Sequence, residues 1–310
     1  MDTYLTPSTP RPHVIPRLGL IARLCVIDAR PTVLLVFLLR FLVGSAFAGA
    51  DLTRDAVVRI GATALVWELA VFAVYLFNGV TDVHEDRING SRRPIARGDL
   101  STTAAGRVVV GASVLAVGGA LLLGDAVLWP VLALLALGYC YSSPRVQLKR
   151  HATTSVLTGI TLGLLTYFAG HIAHTGGWSW PSPALVVFVV AASAWMGIVG
   201  GVTKDLSDVP GDVAAGRHTI AGAWGERRAR YTAAVSAMVL ASAFVTSAAL
   251  TSPLLLWPGI SMLIGAIAMT VACLGGIAGA TRKDSRAPYR VFMTTQYFLN
   301  ISAIPPILSG

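Results

Sequence analysis

Nine apolar runs follow one another along the chain, each near the ~20 residues an α-helix needs to cross a hydrocarbon layer. They lie at 32–50, 57–77, 103–123, 125–142, 153–174, 183–203, 229–250, 253–275 and 290–308, each bounded by charge, glycine or proline. The pattern predicts an all-α fold, a multi-pass transmembrane bundle of about nine helices occupying residues 31–310. Residues 1–30 read differently. Pro7, Pro10, Pro12 and Pro16 interrupt a polar stretch with no apolar core of signal-peptide length, so a cytoplasmic tail, a short interfacial segment and no cleavable signal are expected.

Composition agrees with the pattern. Of the 310 residues, 55% are hydrophobic and only 13% charged, about half the charged share of a soluble domain, and too little polar material remains to cover a water-facing surface. A soluble enzyme, a disordered chain and a nucleic-acid binder are excluded together, and the bilayer is the expected partner. Cys25, Cys140 and Cys273 have neither metal-ligand nor redox spacing and read as small apolar residues.

The net charge of +9 is informative through its placement. Sorting the 24 basic residues by loop puts 21 on one side, leaving Arg54 and Arg59 opposite and Arg40 within a span. The positive-inside rule then assigns the N-terminus and the even-numbered loops to the cytoplasm and the C-terminus to the outside of the cell membrane. The outer loops are short, whereas the cytoplasmic side carries long connections at 78–100 and 204–228, which is where function is expected.

At the start of those two loops, two short stretches, 77–86 and 203–212, hold six of the fifteen acids: Asp82, Glu85, Asp86, Asp205, Asp208 and Asp212. Asn78, Asp82 and Asp86 stand at i, i+4 and i+8, on one face of a helix. Two carboxylates and an amide oxygen at that interval suit Mg²⁺, which keeps several waters and shares a substrate phosphate; the plainer alternative is a solvated acidic helix end. Pro210 and Gly211 predict a turn or helix break between Asp208 and Asp212. Six acids brought to one face repel one another unless cations neutralise them. On neighbouring cytoplasmic loops lie Arg92, Arg93, Tyr141 and Lys149, where most arginines are explained by topology alone. Acids for Mg²⁺, cations for phosphate and an apolar cavity together describe a site for a lipid diphosphate.

These residues also carry a resemblance. From Arg30-Pro31 to the last span the chain resembles the UbiA superfamily of intramembrane prenyltransferases. Asn78, Asp82 and Asp86 are similar to its NxxxDxxxD motif, Asn89 and Arg93–Gly98 follow in the manner of RPIxSG, Tyr141–Lys149 resembles YSxPPxRLK, and Lys204–Asp212 resembles KDxxDxxGD, continued by Gly216 and Thr219. Gly79 departs from a position that is often Asp, and Arg145 and Gln147 replace a Pro and an Arg. The acidic motifs look closest to members that prenylate homogentisate, chlorophyllide or related acceptors.

The resemblance implies a Mg²⁺-dependent prenyltransferase moving an isoprenoid chain from a prenyl diphosphate to an aromatic or other small acceptor, with release of pyrophosphate. Asp82, Asp86, Asp208 and Asp212 would hold Mg²⁺. Asn78, Arg92, Arg93, Tyr141, Lys149 and Lys204 would hold the diphosphate, and Asp205 would orient or deprotonate the acceptor. A terpene cyclase of the same fold, acting on the donor alone, and a cation transporter are the alternatives; the transporter needs acids near the bilayer centre, whereas these sit at span ends.

Other polar residues read as structural. Arg40 and Glu68, both mid-span, are expected to pair, ahead of a role for Arg40 in the acceptor pocket. His171 and His174 are expected at the outer interface, and Gly118-Gly119-Ala120 and Gly275-Gly276 at close helix contacts. The topology is open to a direct test: with an impermeant thiol reagent on intact cells, Ser182→Cys is expected to label and Ser91→Cys to be protected, and the opposite pattern inverts the assignment.

Overall fold

Each apolar run contains a helix. The computed structural model of the chain describes residues 18–49, 52–275 and 285–309, and among these the only β-type pairing is an isolated bridge between His151 and His218. In chain order the helices are α1 (Leu18–Asp28), α2 (Pro31–Ala46), α3 (Arg54–Thr81), α4 (Val83–Ile88), α5 (Pro94–Arg97), α6 (Thr102–Leu123), α7 (Asp125–Ser142) and α8 (Ala152–Thr175). They continue with α9 (Pro183–Ala194), a π-helical turn at Trp195–Val199, α10 (Gly200–Asp205), α11 (Val209–Ala214), α12 (Ile220–Trp224), α13 (Glu226–Thr251), α14 (Leu256–Leu274) and α15 (Ala287–Ser309).

Among the described residues, seven segments are long and apolar enough to cross a membrane: α3, α6, α7, α8, Pro183–Asp205, α13 and Pro253–Leu274. The first and last expected spans are helices that fall outside that set, α2 with 16 residues and α15 with 23. The proline-rich tail, Gly276 and the basic pair Arg282-Lys283 lie outside the described residues.

The outward faces are apolar too, as lipid requires. On α6, Val110, Val114, Leu115, Leu121 and Leu122 are all exposed, while small residues, Ala105, Ala112, Ala116 and Ala120, form its buried stripe. Inside, two large apolar clusters form. One joins α2, α3, α7 and α8 around Phe37, Phe41, Trp67 and Leu134, the other joins α9, α13, α14 and α15 around Phe188, Phe244, Met262 and Leu299. Glycine sets the closest approaches within the bundle: a Cβ on Gly44 would lie 1.9 Å from the Tyr167 carbonyl oxygen, and one on Gly170 1.9 Å from that of Phe41, so α2 and α8 meet backbone to backbone.

The first acid motif is fixed to the bundle by a buried pair. Asp28, at the end of α1 and fully buried, accepts from the backbone N–H of Ile95 at 2.8 Å and pairs with Arg93 at 2.9 Å. Arg93 reaches on to Asp86 at 2.9 Å. The departure at Gly79 follows from this clamp. A Cβ there would lie 2.1 Å from Asp28 Oδ1 and 2.3 Å from Arg93 Nη2, so the Asp28 carboxylate occupies the space that a side chain at position 79 would need.

Thermal unfolding of the detergent-solubilised protein checks this packing. Gly44→Ala is expected to cost about 1–3 kcal/mol by overpacking and Asp28→Ala about 3–5 kcal/mol by stranding a buried arginine. Gly118→Ala, where a Cβ meets nothing within 4 Å, is expected to be neutral. Wild-type stability in the first two variants would refute the close contact and the clamp.

Candidate functional site

Between the two apolar clusters a cavity runs from the loop face into the bundle. Its walls come from α2, α3, α7, α8, the π turn with α10, and α15, and the acids of both motifs ring its loop end. Along the second motif Met196-Gly197, Gly200-Gly201, Lys204-Asp205, Asp208 and Asp212 all line it, a four-residue repeat that keeps one face inward. The π turn just before them brings Gly197 against α8, where a Cβ would lie 2.6 Å from the Val156 carbonyl oxygen.

Both motifs are broken helices. Asn78 lies in the last turn of α3, Asp82 joins α3 to α4, and Asp86 lies within α4. The register survives the break, because the Asp82 N–H donates to the Asn78 carbonyl at 3.0 Å and the Asp86 N–H to that of Asp82 at 2.8 Å. In the second motif the break falls at Leu206–Asp208, just before Pro210, which sits in the first turn of α11 where its missing N–H costs nothing. The two motifs touch directly: the Gly211 N–H donates to Asn89 Oδ1 at 2.8 Å, and a Cβ on Gly211 would collide with Asn89 at 2.3 Å.

Cations are built into this ring. Lys149, buried on the short turn Leu148–Arg150, pairs with Asp82. Lys204 pairs with Asp205 at 2.7 Å. Arg217 spans both motifs, contacting Asp82 at 3.0 Å, Glu85 at 3.1 Å and Asp212 at 3.1 Å. Asn78 donates to Asp82 at 3.1 Å and to Ser142 at 3.3 Å, and the Tyr141 hydroxyl lies 3.2 Å from that of Ser155.

The electrostatics differ across the ring. Burial by itself would raise the Asp82 carboxyl, but Lys149 and Arg217 outweigh it and hold the group below its ordinary range. Asp86 is raised by burial, against Arg93 and Arg30. Asp212 is pushed up to about 7 by burial and by the neighbouring Asp205 and Asp208, against Lys204 and Arg217. Its Oδ1 accepts from Arg217 while its Oδ2 is buried without a hydrogen-bond partner.

Among the sequence-predicted residues, Asn78, Asp82, Asp86, Tyr141, Lys149, Lys204, Asp205, Asp208 and Asp212 all line the cavity. Arg92 is exposed and Arg93 is buried behind Asp86, and neither lines it. Arg145 is exposed, and Gln147 adopts a left-handed turn with φ 49°. Sequence reasoning missed the roles of Asp28, Arg30 and Arg217. Arg30 precedes Pro31 with φ 62°, lines the cavity and lies in electrostatic reach of Asp86 and Asp208. For Arg217 the available signal was its place between Gly216 and Thr219, the residues that continue the second acidic motif.

One expectation is corrected deeper in the cavity. Arg40 does not pair with Glu68; it donates to Gln296 on α15 and lies 5.0 Å from the centre of the Phe37 ring, and both Arg40 and Gln296 line the cavity. Glu68 Oε1 is buried without a hydrogen-bond partner. His171, at the far end of α8, is 2.9 Å from the Ser179 hydroxyl and lies away from the acids.

The donor set fits Mg²⁺. Among the described residues no three carboxylate, histidine or cysteine side chains form a ready cage. Four carboxylates around the cavity's loop end, one with an unpartnered buried oxygen, nevertheless match a cation that takes one or two carboxylates and completes its shell with water and phosphate.

Known proteins resemble this chain along most of its length. It is 29% identical over 248 residues to the digeranylgeranylglyceryl phosphate synthase of Natronomonas pharaonis, covering 78% of this chain and 81% of that one. It is 32% identical over 145 residues to a probable homogentisate phytyltransferase 2, chloroplastic, of Oryza sativa, a match covering 44% of this chain and 37% of that protein. In fold it matches a UbiA homolog from Archaeoglobus fulgidus, solved bound to GPP and Mg²⁺, with a TM-score of 0.65 at 17% identity over 91% of this chain and 99% of that one. The sequence pattern of the UbiA prenyltransferase family matches residues 37–301. With seven membrane-length helices and that match over most of its length, the chain belongs to the UbiA prenyltransferase family and is a multi-pass membrane prenyltransferase.

Proposed function

We propose that this prenyltransferase depends on Mg²⁺, takes a prenyl diphosphate as donor and alkylates a small aromatic acceptor. The observation that carries the reading is a cavity with carboxylates and cations at its loop end and apolar and aromatic walls below. Asp82 and Asp86 on one side, and Asp208 and Asp212 on the other, are the ligands for Mg²⁺. Bound there, Mg²⁺ supplies charge stabilisation to the departing diphosphate. Asn78, Tyr141, Lys149 and Lys204 are placed to hold the diphosphate oxygens from the chain's side. Arg30 joins them at the rim. Arg93 acts one step back, fixing Asp86, and Arg92 contributes charge at the cytoplasmic face.

In the reaction the allylic C–O bond breaks and its electron pair leaves with the diphosphate. The carbocation is kept from water by the walls, where Phe37, Tyr75 and Phe292 present aromatic groups. The acceptor forms the new bond to the prenyl carbon and loses a proton, for which Asp205, on the cavity wall beside Lys204, is the acceptor group. Two observations support an aromatic acceptor: the rice relative is named for homogentisate, and the deep cavity presents Arg40 and Gln296 beside Phe37 to a polar ring substituent. The charge asymmetry of the loops supports a cytoplasmic site and N-terminus and an external C-terminus.

Two measurements check the reading. Asp82→Asn and Asp208→Asn are each expected to lower turnover at least ~100-fold in membranes while the protein still folds, since the ligand charge is lost and the shape kept; full activity in either, or in EDTA, removes the metal site. Geranyl, farnesyl or geranylgeranyl diphosphate with Mg²⁺ is expected to give little terpene alone and a prenylated adduct with a panel of phenolic acids. Efficient cyclic terpene formation from the donor alone would make the protein a cyclase.

A further inference from the structure

Arg217 joins the two acid motifs by direct salt bridges. Its two terminal nitrogens divide between them: Nη1 lies 3.1 Å from Asp212, and Nη2 lies 3.0 Å from Asp82 and 3.1 Å from Glu85. Two of those three carboxylates, Asp82 and Asp212, are among the four assigned above to Mg²⁺. A guanidinium in contact with Asp82 and Asp212 therefore competes for the same oxygens, and a dication brought among them is repelled by it at close range.

The base of this side chain is fixed. The Arg217 N–H donates to the Asp212 carbonyl at 2.8 Å. The next residue bridges to the Lys149 turn, the His218 N–H donating to Arg150 at 2.7 Å and the Ala152 N–H to His218 at 3.1 Å. Over that bridge the His151 and His218 rings stack with centroids 5.4 Å apart. The backbone at 217 thus stays put, and only the long, rotatable side chain is left to respond when another cation takes its partners. A guanidinium displaced from Asp82 and Asp212 remains within the cavity that Arg217 lines. There the diphosphate is the anion it meets, and its fork matches phosphate oxygens.

We propose that Arg217 is an exchangeable counter-ion: it neutralises Asp82 and Asp212 until Mg²⁺ and the diphosphate arrive together, then releases the carboxylates and turns to the diphosphate. This rests on the metal–diphosphate reading of the cavity and adds a sign to it. Arg217 opposes the metal alone and favours the metal with diphosphate, so it couples the two binding events. No hydrolysis or other covalent step is involved.

The test uses the purified full-length protein, Mn²⁺ as a paramagnetic probe of the Mg²⁺ site, and inorganic pyrophosphate. In Arg217→Gln, Mn²⁺ alone, followed by electron paramagnetic resonance, is expected to bind about tenfold more tightly, and pyrophosphate at saturating Mn²⁺, followed by calorimetry, about tenfold more weakly. Arg217→Lys keeps the charge without the fork, is expected to shift both affinities in the same two directions by less, and carries the test if the glutamine variant does not fold. A structural role alone would weaken both. Changes of the same sign, or no change in either, with wild-type protein that binds both ligands, would overturn the counter-ion role and leave the site intact. Wild-type protein that binds neither Mn²⁺ nor pyrophosphate would overturn the site itself.

Discussion

Six carboxylates gathered at one end of a membrane bundle impose the constraint that the rest of the site answers. Unpaired, they would repel one another and could not stay charged where water is scarce. Each cation in the ring addresses a particular part of that problem. Asp82 has two partners, Lys149 and Arg217, and is held below its ordinary range; Asp212 shares Arg217, has an orphaned second oxygen, and is pushed up to about 7. One guanidinium thus serves two carboxylates whose proton affinities move in opposite directions. The difference lies in what else surrounds each of them.

The same constraint reaches into the packing. Asp86 is oriented by Arg93, Arg93 is neutralised by Asp28, and Asp28 is buried against α3 only because position 79 has no side chain. A departure in a functional motif therefore traces to a clamp outside it, delivered by α1. Gly211 does the corresponding work for the second motif, letting α11 lie against Asn89 closely enough for the Gly211 N–H to donate to the Asn89 side-chain oxygen. Glycine at these two places is a condition of the charge arrangement, since a Cβ at either would fall inside 2.5 Å of a polar side-chain atom.

Depth in the membrane was legible from the sequence, and rotation about each helix axis was not. Runs of apolar length bounded by charge gave the helices, and the parity of the basic loops brought the two acid motifs to one end, where Arg217 and Asn89 now join them. The i, i+4, i+8 spacing identified Asn78, Asp82 and Asp86 because such spacing sets a shared face whatever the helix packs against. Arg40 shows the limit. Its depth matched that of Glu68, yet α2 is apolar around most of its circumference, so nothing in its periodicity said that Arg40 faces Gln296 on α15. Adjacent Arg92 and Arg93 were indistinguishable by composition, although only one of two neighbouring side chains turns inward at the start of α5. Asp28 and Arg30 stood in a stretch that reads as interfacial, and their partners lie far along the chain.

The choice of basic residue at each position follows from the number of carboxylates it must meet. Lys149 faces one, Asp82, and an ammonium acts there as a point charge that needs no fixed direction. Arg217 faces three, belonging to two motifs, and only a planar fork with several donors can address Asp212 with one nitrogen and Asp82 and Glu85 with another. The bridge between Arg150 and His218 places both cations on one connected piece of backbone, so the loop after α7 and the segment after α11 reach Asp82 as a unit. The fourth-loop residues and the second acid motif, separate in sequence, are thereby one electrostatic device. This explains why the fourth loop tolerates Arg145 and Gln147 in place of the family's usual residues while Lys149 stays buried: the loop needs to hold its backbone to His218 and its ammonium to Asp82, and neither Arg145 nor Gln147 takes part in either contact.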